Sequence, residues 1–398
     1  MPAKAAPTKN RRLVLIFFGT VAFVVSLRAA GVDRLLPDGI SFWQAYLYAM
    51  GSLLAFSLGM RFSILIHELG HAVAGRMRGF QFSHLLSGRL WINRRNGSLS
   101  IRRQHQFRFP GGFCLSVPPP DATRNDLLWF IAGGPIASAT LAFLGIAVAW
   151  SMGPQTGYLG IGAKLVFGMT GVASALLFAT SVFWPAPSSG LIQDGARIRM
   201  LWRDEVAVSS ELAALRLFGL TGLGVRPRDW PTETLEQVDA KGTDRLRWMR
   251  ASAEVGILID RDEHVQALAH SEELMSEAES MTPVERKLYA LTHSLLIAHV
   301  KSDGENARKW LNESQGCLVE SHQVLTAEAA VLHAEGATDE ALATVDRARA
   351  AWEDALFPLT DGSRELLAAV EAKMRTQELA GAERQCAAPS TAPRRHET

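Results

Sequence analysis

Four apolar runs, each close to the length that crosses a bilayer, constrain every fold open to this chain. They cover Leu13 to Leu27, Phe42 to about Arg76, Leu127 to Trp150 and Ala163 to Trp184. A helix of about 20 residues spans roughly 30 Å of hydrocarbon, where every backbone polar group must be satisfied within the segment. The first run follows Lys4, Lys9, Arg11 and Arg12, as a secretory leader does. Arg28 and Leu27, however, occupy the positions where cleavage before Ala30 or Ala29 needs a small residue. The run therefore reads as a retained first span.

Charge places these spans in the membrane. The net charge of +1 conceals a segregation: up to Arg203 there are 20 Lys and Arg against 6 acids, a net of +14, and the remainder carries 21 against 34, a net of −13. Basic residues crowd the N-terminal tail, the connection from Arg76 to Arg124 and the exit at Arg197, Arg199 and Arg203, while "SMGPQTGYLGIG" is uncharged. The positive-inside rule then puts both termini in the cytoplasm of a multi-pass protein of the cell (inner) membrane. Cys114, Cys317 and Cys386 are odd in number and far apart, the pattern of reduced, incidental thiols.

The expected fold is mainly α. It has a basic tail over residues 1–12 and a membrane-embedded domain over 13–203, with spans at about 13–30, 43–76, 127–150 and 163–184. A small β-hairpin at about 80–108 is predicted from alternating apolar and polar residues on either side of Asn96-Gly97, a turn dipeptide. It is expected at the membrane surface, where its arginines could also rest on anionic headgroups. The following "PGGFCLSVPPP" suggests irregular backbone lining a cavity. A linker region at 204–242 leads to a soluble all-helical domain at 243–380 and a disordered tail at 381–398. Amphipathic runs begin near Arg245, His264, Val284, Asn306, Val324, Glu340 and Arg364. Ala267, Ala307 and Ala341 fall 40 and then 34 residues apart, so a tetratricopeptide-like helical-hairpin stack is the expectation.

Chemistry concentrates in "ILIHELGHAVAG", Ile64 to Gly75, which sets ionisable groups inside a span. Such residues cost about 2.5–3.5 kcal/mol each at the bilayer centre and are presumed functional there. Four residues apart on a helix, His67 and His71 project from one face and suit Zn²⁺, while Glu68 lies beside the ion as a base for its water. A hydrogen-bonded histidine pair joining two helices is the plainer alternative. A third ligand is needed. Ala74 and Met77 stand where an extended HExxHxxGxxH motif would place Gly and His, and no glutamate follows Glu68 until Glu205. Of the acids left, Asp121 and Asp126 sit where helix capping is their obvious role. Asp194, in "PAPSSGLIQDGARIRML", follows a Pro- and Gly-broken approach able to bend back toward the bilayer. A helix cap for "GARIRML" is its alternative role. His84 and His105 read as surface residues.

"HELGH", then "GGPIAS" opening the next span, then "PAPSSGLIQDGAR" after the following one, together resemble the site-2 proteases, intramembrane zinc metalloproteases of the M50 type. The resemblance covers about Leu53 to Trp202. It implies His67, His71 and Asp194 as ligands of one zinc ion, Glu68 as catalytic acid/base, and hydrolysis of a peptide bond in a membrane-protein substrate. Where the family commonly has an asparagine near the end of its second motif and another before the proline of its third, this chain has Ser138 and Trp184; Ser138, Gly134 and Pro135 are then candidates for holding substrate backbone. A membrane-anchored scaffold with a vestigial metal site, its helical domain binding a cytosolic partner, is the rival reading. The expected partners are a membrane-protein substrate, the lipid bilayer and that cytosolic protein, with no nucleic acid.

Overall fold

The computed structural model describes residues 41–95, 98–103, 111–153, 158–183, 193–222, 224–239, 244–317, 319–353, 355 and 364–376. Three helices among them are long and apolar enough to cross a membrane: α1 (Phe42–Met77), α2 (Arg124–Ser151) and α3 (Tyr158–Phe183). At 1.5 Å per residue, α1 with its 36 residues is about 54 Å long and outruns the hydrocarbon. The span expected at 13–30 lies outside the described residues, as do His105, Cys386 and the tail.

Capping residues start these helices. Ser41 caps α1 and Thr123 caps α2, each reciprocated by the side chain three residues on, Gln44 and Asp126. Asp126 thus has the capping role its position suggests. All three helices pack on one another. Lipid provides no hydrophobic drive between helices, so close backbone approach has to supply contact. Small residues permit it: a Cβ on Gly70 of α1 would stand 2.6 Å from Ala137 Cβ of α2, and one on Gly133 the same distance from Ala74 Cβ. Between α1 and α3, the buried hydroxyls of Ser63 and Ser174 hydrogen-bond at 2.6 Å.

The expected two-stranded hairpin is half of a larger sheet. Strands β2 (Leu90–Arg95) and β3 (Ser98–Arg103) pair antiparallel with Arg95 opposite Ser98, while the Asn96-Gly97 turn expected between them lies outside the described residues. Two further strands, β1 (Gln81–Ser87) and β4 (Gly112–Val117), complete a four-stranded antiparallel sheet in the order β3-β2-β1-β4. The segment predicted as irregular backbone after Pro110 is therefore partly strand, because β1 supplies the hydrogen-bond partners that a lone segment lacks. His84 is fully buried in the sheet beside Trp91, with 5.2 Å between ring centroids, which corrects the surface role expected for it.

Two helices tie the membrane part to the C-terminal helices: α4 (Asp194–Arg203) and α5 (Glu205–Gly222). Leu201, Ala207, Val208 and Leu212 pack with Phe80 and with Leu127, Phe130 and Ile131 of α2 in one apolar cluster. Beyond it lie α6 (Thr232–Asp239), α7 (Asp244–Asp260), α8 (His264–Ser276), α9 (Pro283–Leu296), α10 (Gly304–Glu313), α11 (Ser321–Ala334), α12 (Thr338–Glu353) and α13 (364–376). Successive pairs α7–α8, α9–α10 and α11–α12 pack side by side. A five-residue π segment, Ile297–Lys301, extends α9 and ends at Ser302, whose φ of 54° is left-handed.

Candidate functional site

His67, Glu68 and His71 occupy one turn of α1 and are buried, with relative exposures of 6, 7 and 8%. Their neighbour is α2, whose Gly134 faces both imidazoles: a Cβ there would lie 2.7 Å from His67 Nε2 and closer still to His71 Nε2. Glycine at this position leaves the space in front of the two nitrogens clear.

Each imidazole is oriented through its other nitrogen. His71 Nδ1 donates to the backbone carbonyl of Phe130 at 2.9 Å, and His67 Nδ1 lies 2.9 Å from the hydroxyl of Ser138. Pro135 lies inside α2, lacks an N–H and so cannot complete the helical ladder at Ile131. The Phe130 carbonyl that accepts from His71 lies one residue before the Ile131 carbonyl that Pro135 leaves without its helical donor. With both Nδ1 atoms engaged on α2, the Nε2 atoms point the same way, 3.3 Å apart, and the rings meet edge to face at 4.9 Å.

Asp194 closes the constellation. Its Oδ2 lies 3.0 Å from His67 Nε2 and 3.6 Å from His71 Nε2. Although it is the first residue of α4, the residue in the cap position is Gln193, which makes no side-chain cap bond. The start of α4 is pinned against the end of α3: a side chain on Gly195 would run into the backbone of Val182, and Arg199 Nη1 donates to the Val182 carbonyl at 3.0 Å. That carbonyl belongs to the last described turn of α3, whose carbonyls have no donor among the described residues of that helix. An ion pair from Arg197 to Glu211 fixes α4 to α5.

One ligand atom from each of His67, His71 and Asp194 lies within 4.8 Å of the others. Two imidazoles and a carboxylate, with both Nδ1 atoms engaged and a glycine opposite, fit a divalent cation and leave room for a fourth position. Glu68 stands beside this trio against β4, where a Cβ on Gly112 would overlap its carboxylate. Pro135 is buried within α2, Ser138 is fully buried against His67, and Trp184 lies outside the described residues.

Four participants were not foreseen: the Phe130 carbonyl, Gly112, Gly195 and Arg199. No local signal announced the first, since the carbonyl that Pro135 leaves without a helical donor is that of Ile131. Cys114 and Cys317 are free thiols. No curated protein and no solved structure matches the chain. The model of one family, described as peptidase family M50, matches residues 55–338, which include all of these site residues and most of the chain. The chain belongs to peptidase family M50.

Proposed function

We propose that this protein is an intramembrane zinc endopeptidase that cuts a peptide bond in a membrane-protein substrate, with His67, His71 and Asp194 as ligands and Glu68 as acid/base. The observation carrying this reading is the meeting of two Nε2 atoms and one carboxylate oxygen, from helices far apart in sequence, beside a buried glutamate. A zinc ion held there would supply Lewis acidity toward a peptide carbonyl and toward a water. Glu68 then takes the proton of the attacking water and delivers it to the leaving amine. Low exposure of all three α1 residues excludes bulk water from these transfers.

A substrate helix has to be unwound before its carbonyls are accessible, because its backbone is otherwise locked in hydrogen bonds. Among the described residues β4 pairs with β1 on one edge and with no strand on the other, and its Gly112 lies at Glu68. Added to the edge of β4 that pairs with no described strand, an extended substrate would be carried past the acid/base. The basic connections favour cytoplasmic termini in the inner membrane. Helix pairs beyond residue 244 favour a tetratricopeptide-like domain that recruits substrate or a cytosolic partner.

Comparative membrane proteomics of cells carrying the wild type and Glu68→Gln tests the proposal. A single-span protein should accumulate in the variant and be cut by purified wild type; cleavage by purified Glu68→Gln would reject the assignment.

A further inference from the structure

The two imidazoles are not held alike. A carbonyl can only accept, so the Phe130 oxygen fixes the proton on Nδ1 of His71 and leaves its Nε2 lone pair facing Asp194. Because that acceptor is backbone, no side-chain substitution at Phe130 removes it. His67 depends instead on a side chain: the Ser138 hydroxyl, fully buried, 2.9 Å from Nδ1. Ser138 is one helical turn beyond Gly134 on the same face of α2. Gly134 therefore admits the two Nε2 atoms close to the helix, and the next turn supplies the group that aims one of them.

We infer that Ser138 is the positioning residue for His67: its oxygen accepts the Nδ1 proton, selects the tautomer whose Nε2 is free to bind a cation, and fixes the ring toward Asp194. The inference rests on the metal-site reading of His67, His71 and Asp194, and it differs from a role for Ser138 in gripping substrate. Three facts carry it. The hydroxyl is within hydrogen-bond distance of the ligand imidazole. It is sealed from solvent, so water cannot stand in for it. The second imidazole also has its Nδ1 engaged at the same distance, by a backbone carbonyl in place of a hydroxyl. Partners of this kind fix ring orientation and raise ligand basicity, and their loss typically weakens metal affinity by about 10–100-fold.

The test uses the full chain purified in detergent, with zinc partitioned against a chromophoric chelator and thermal unfolding recorded on every variant. Ser138→Ala is expected to bind zinc about 10–100-fold more weakly than wild type, while Ser138→Thr, which keeps the hydroxyl, stays within about threefold. Zinc affinity unchanged in Ser138→Ala overturns the inference, and so does an equal loss in the Ala and Thr variants, which assigns the effect to packing. A raised KM with unchanged zinc affinity assigns Ser138 to substrate and also overturns it. Should the wild type retain no zinc that His67→Ala or Asp194→Ala releases, the metal-site reading itself fails, and this inference with it.

Discussion

His67 Nε2 and Asp194 Oδ2 stand 3.0 Å apart across 127 residues of sequence. One is buried at mid-helix in α1, and the other opens α4 after two further membrane-length helices. Removing the carboxylate leaves two imidazoles facing an unfilled side of the site. Asp194→Ala should lower zinc affinity by more than about 100-fold, since even the outer partners of ligands are worth 10–100-fold. Zinc content of the purified variant by mass spectrometry checks this; one ion per chain at wild-type affinity would remove Asp194 from the ligand set.

Glu68 separates binding from chemistry. It adjoins the ligand trio, and its carboxylate rests against β4 at Gly112. Glu68→Gln keeps the shape and removes the proposed base. Zinc affinity should stay within about threefold, while the cleavage rate falls about 10²–10⁴-fold, the usual worth of a positioned acid/base. Equal losses of zinc and activity would instead make Glu68 a ligand.

Much of the site was legible in the sequence because it is local. The i, i+4 spacing of His67 and His71 dictates a shared helix face, and the scarcity of acids before residue 203 singles out Asp194. The sheet was legible only where it is local too. Strands β2 and β3 are only two residues apart in sequence, so alternation on either side of Asn96-Gly97 announces them. Pairing of Gln81 with Val117 is long-range, and β4 sits between "PGG" and "PPP", which locally argue against a strand. His84 was misplaced for the same reason: its burial comes from strands that local patterning does not connect. Of the outer partners of the imidazoles, the Phe130 carbonyl was hidden because it is backbone, while Ser138 was singled out for substrate and its contact with His67 was not foreseen.

Two glycines should have separable effects. A methyl on Gly134 meets both Nε2 atoms, so Gly134→Ala should cost zinc and activity together. A methyl on Gly112 meets Glu68 at its Cγ as well as its carboxylate, so the Glu68 side chain itself has to shift. Gly112→Ala should therefore retain zinc while slowing cleavage about 100-fold, the cost of moving a catalytic group by about 1 Å. Zinc titration and single-turnover cleavage on both variants decide this; loss of zinc in Gly112→Ala or its retention in Gly134→Ala contradicts the arrangement.

The C-terminal helices carry a pH dependence of their own. Burial pushes the pKa of His293 down to about 4, and burial followed by the neighbouring His264 does the same to His299, whose ring lies 4.8 Å from that of His264. Both histidines belong to the stretch running from α9 into the π segment Ile297–Lys301, and Ser271 Oγ faces His293 Nδ1 at 2.9 Å. Proton counting gives the sign. Between pH 4 and about 6.5 the unfolded chain binds protons that the folded chain refuses, so stability is complete above that window and falls as pH drops through it. For His293, 4% exposed, the loss by pH 4.5 is roughly 2 kcal/mol. Hydrogen exchange of the full chain, corrected for intrinsic rates, should show protection of residues 283–301 declining from pH 6.5 to 4.5. The double variant His293→Gln and His299→Gln should flatten that decline. Wild-type protection that stays level across the window would mean that these rings accept protons in the folded state as readily as in the unfolded one.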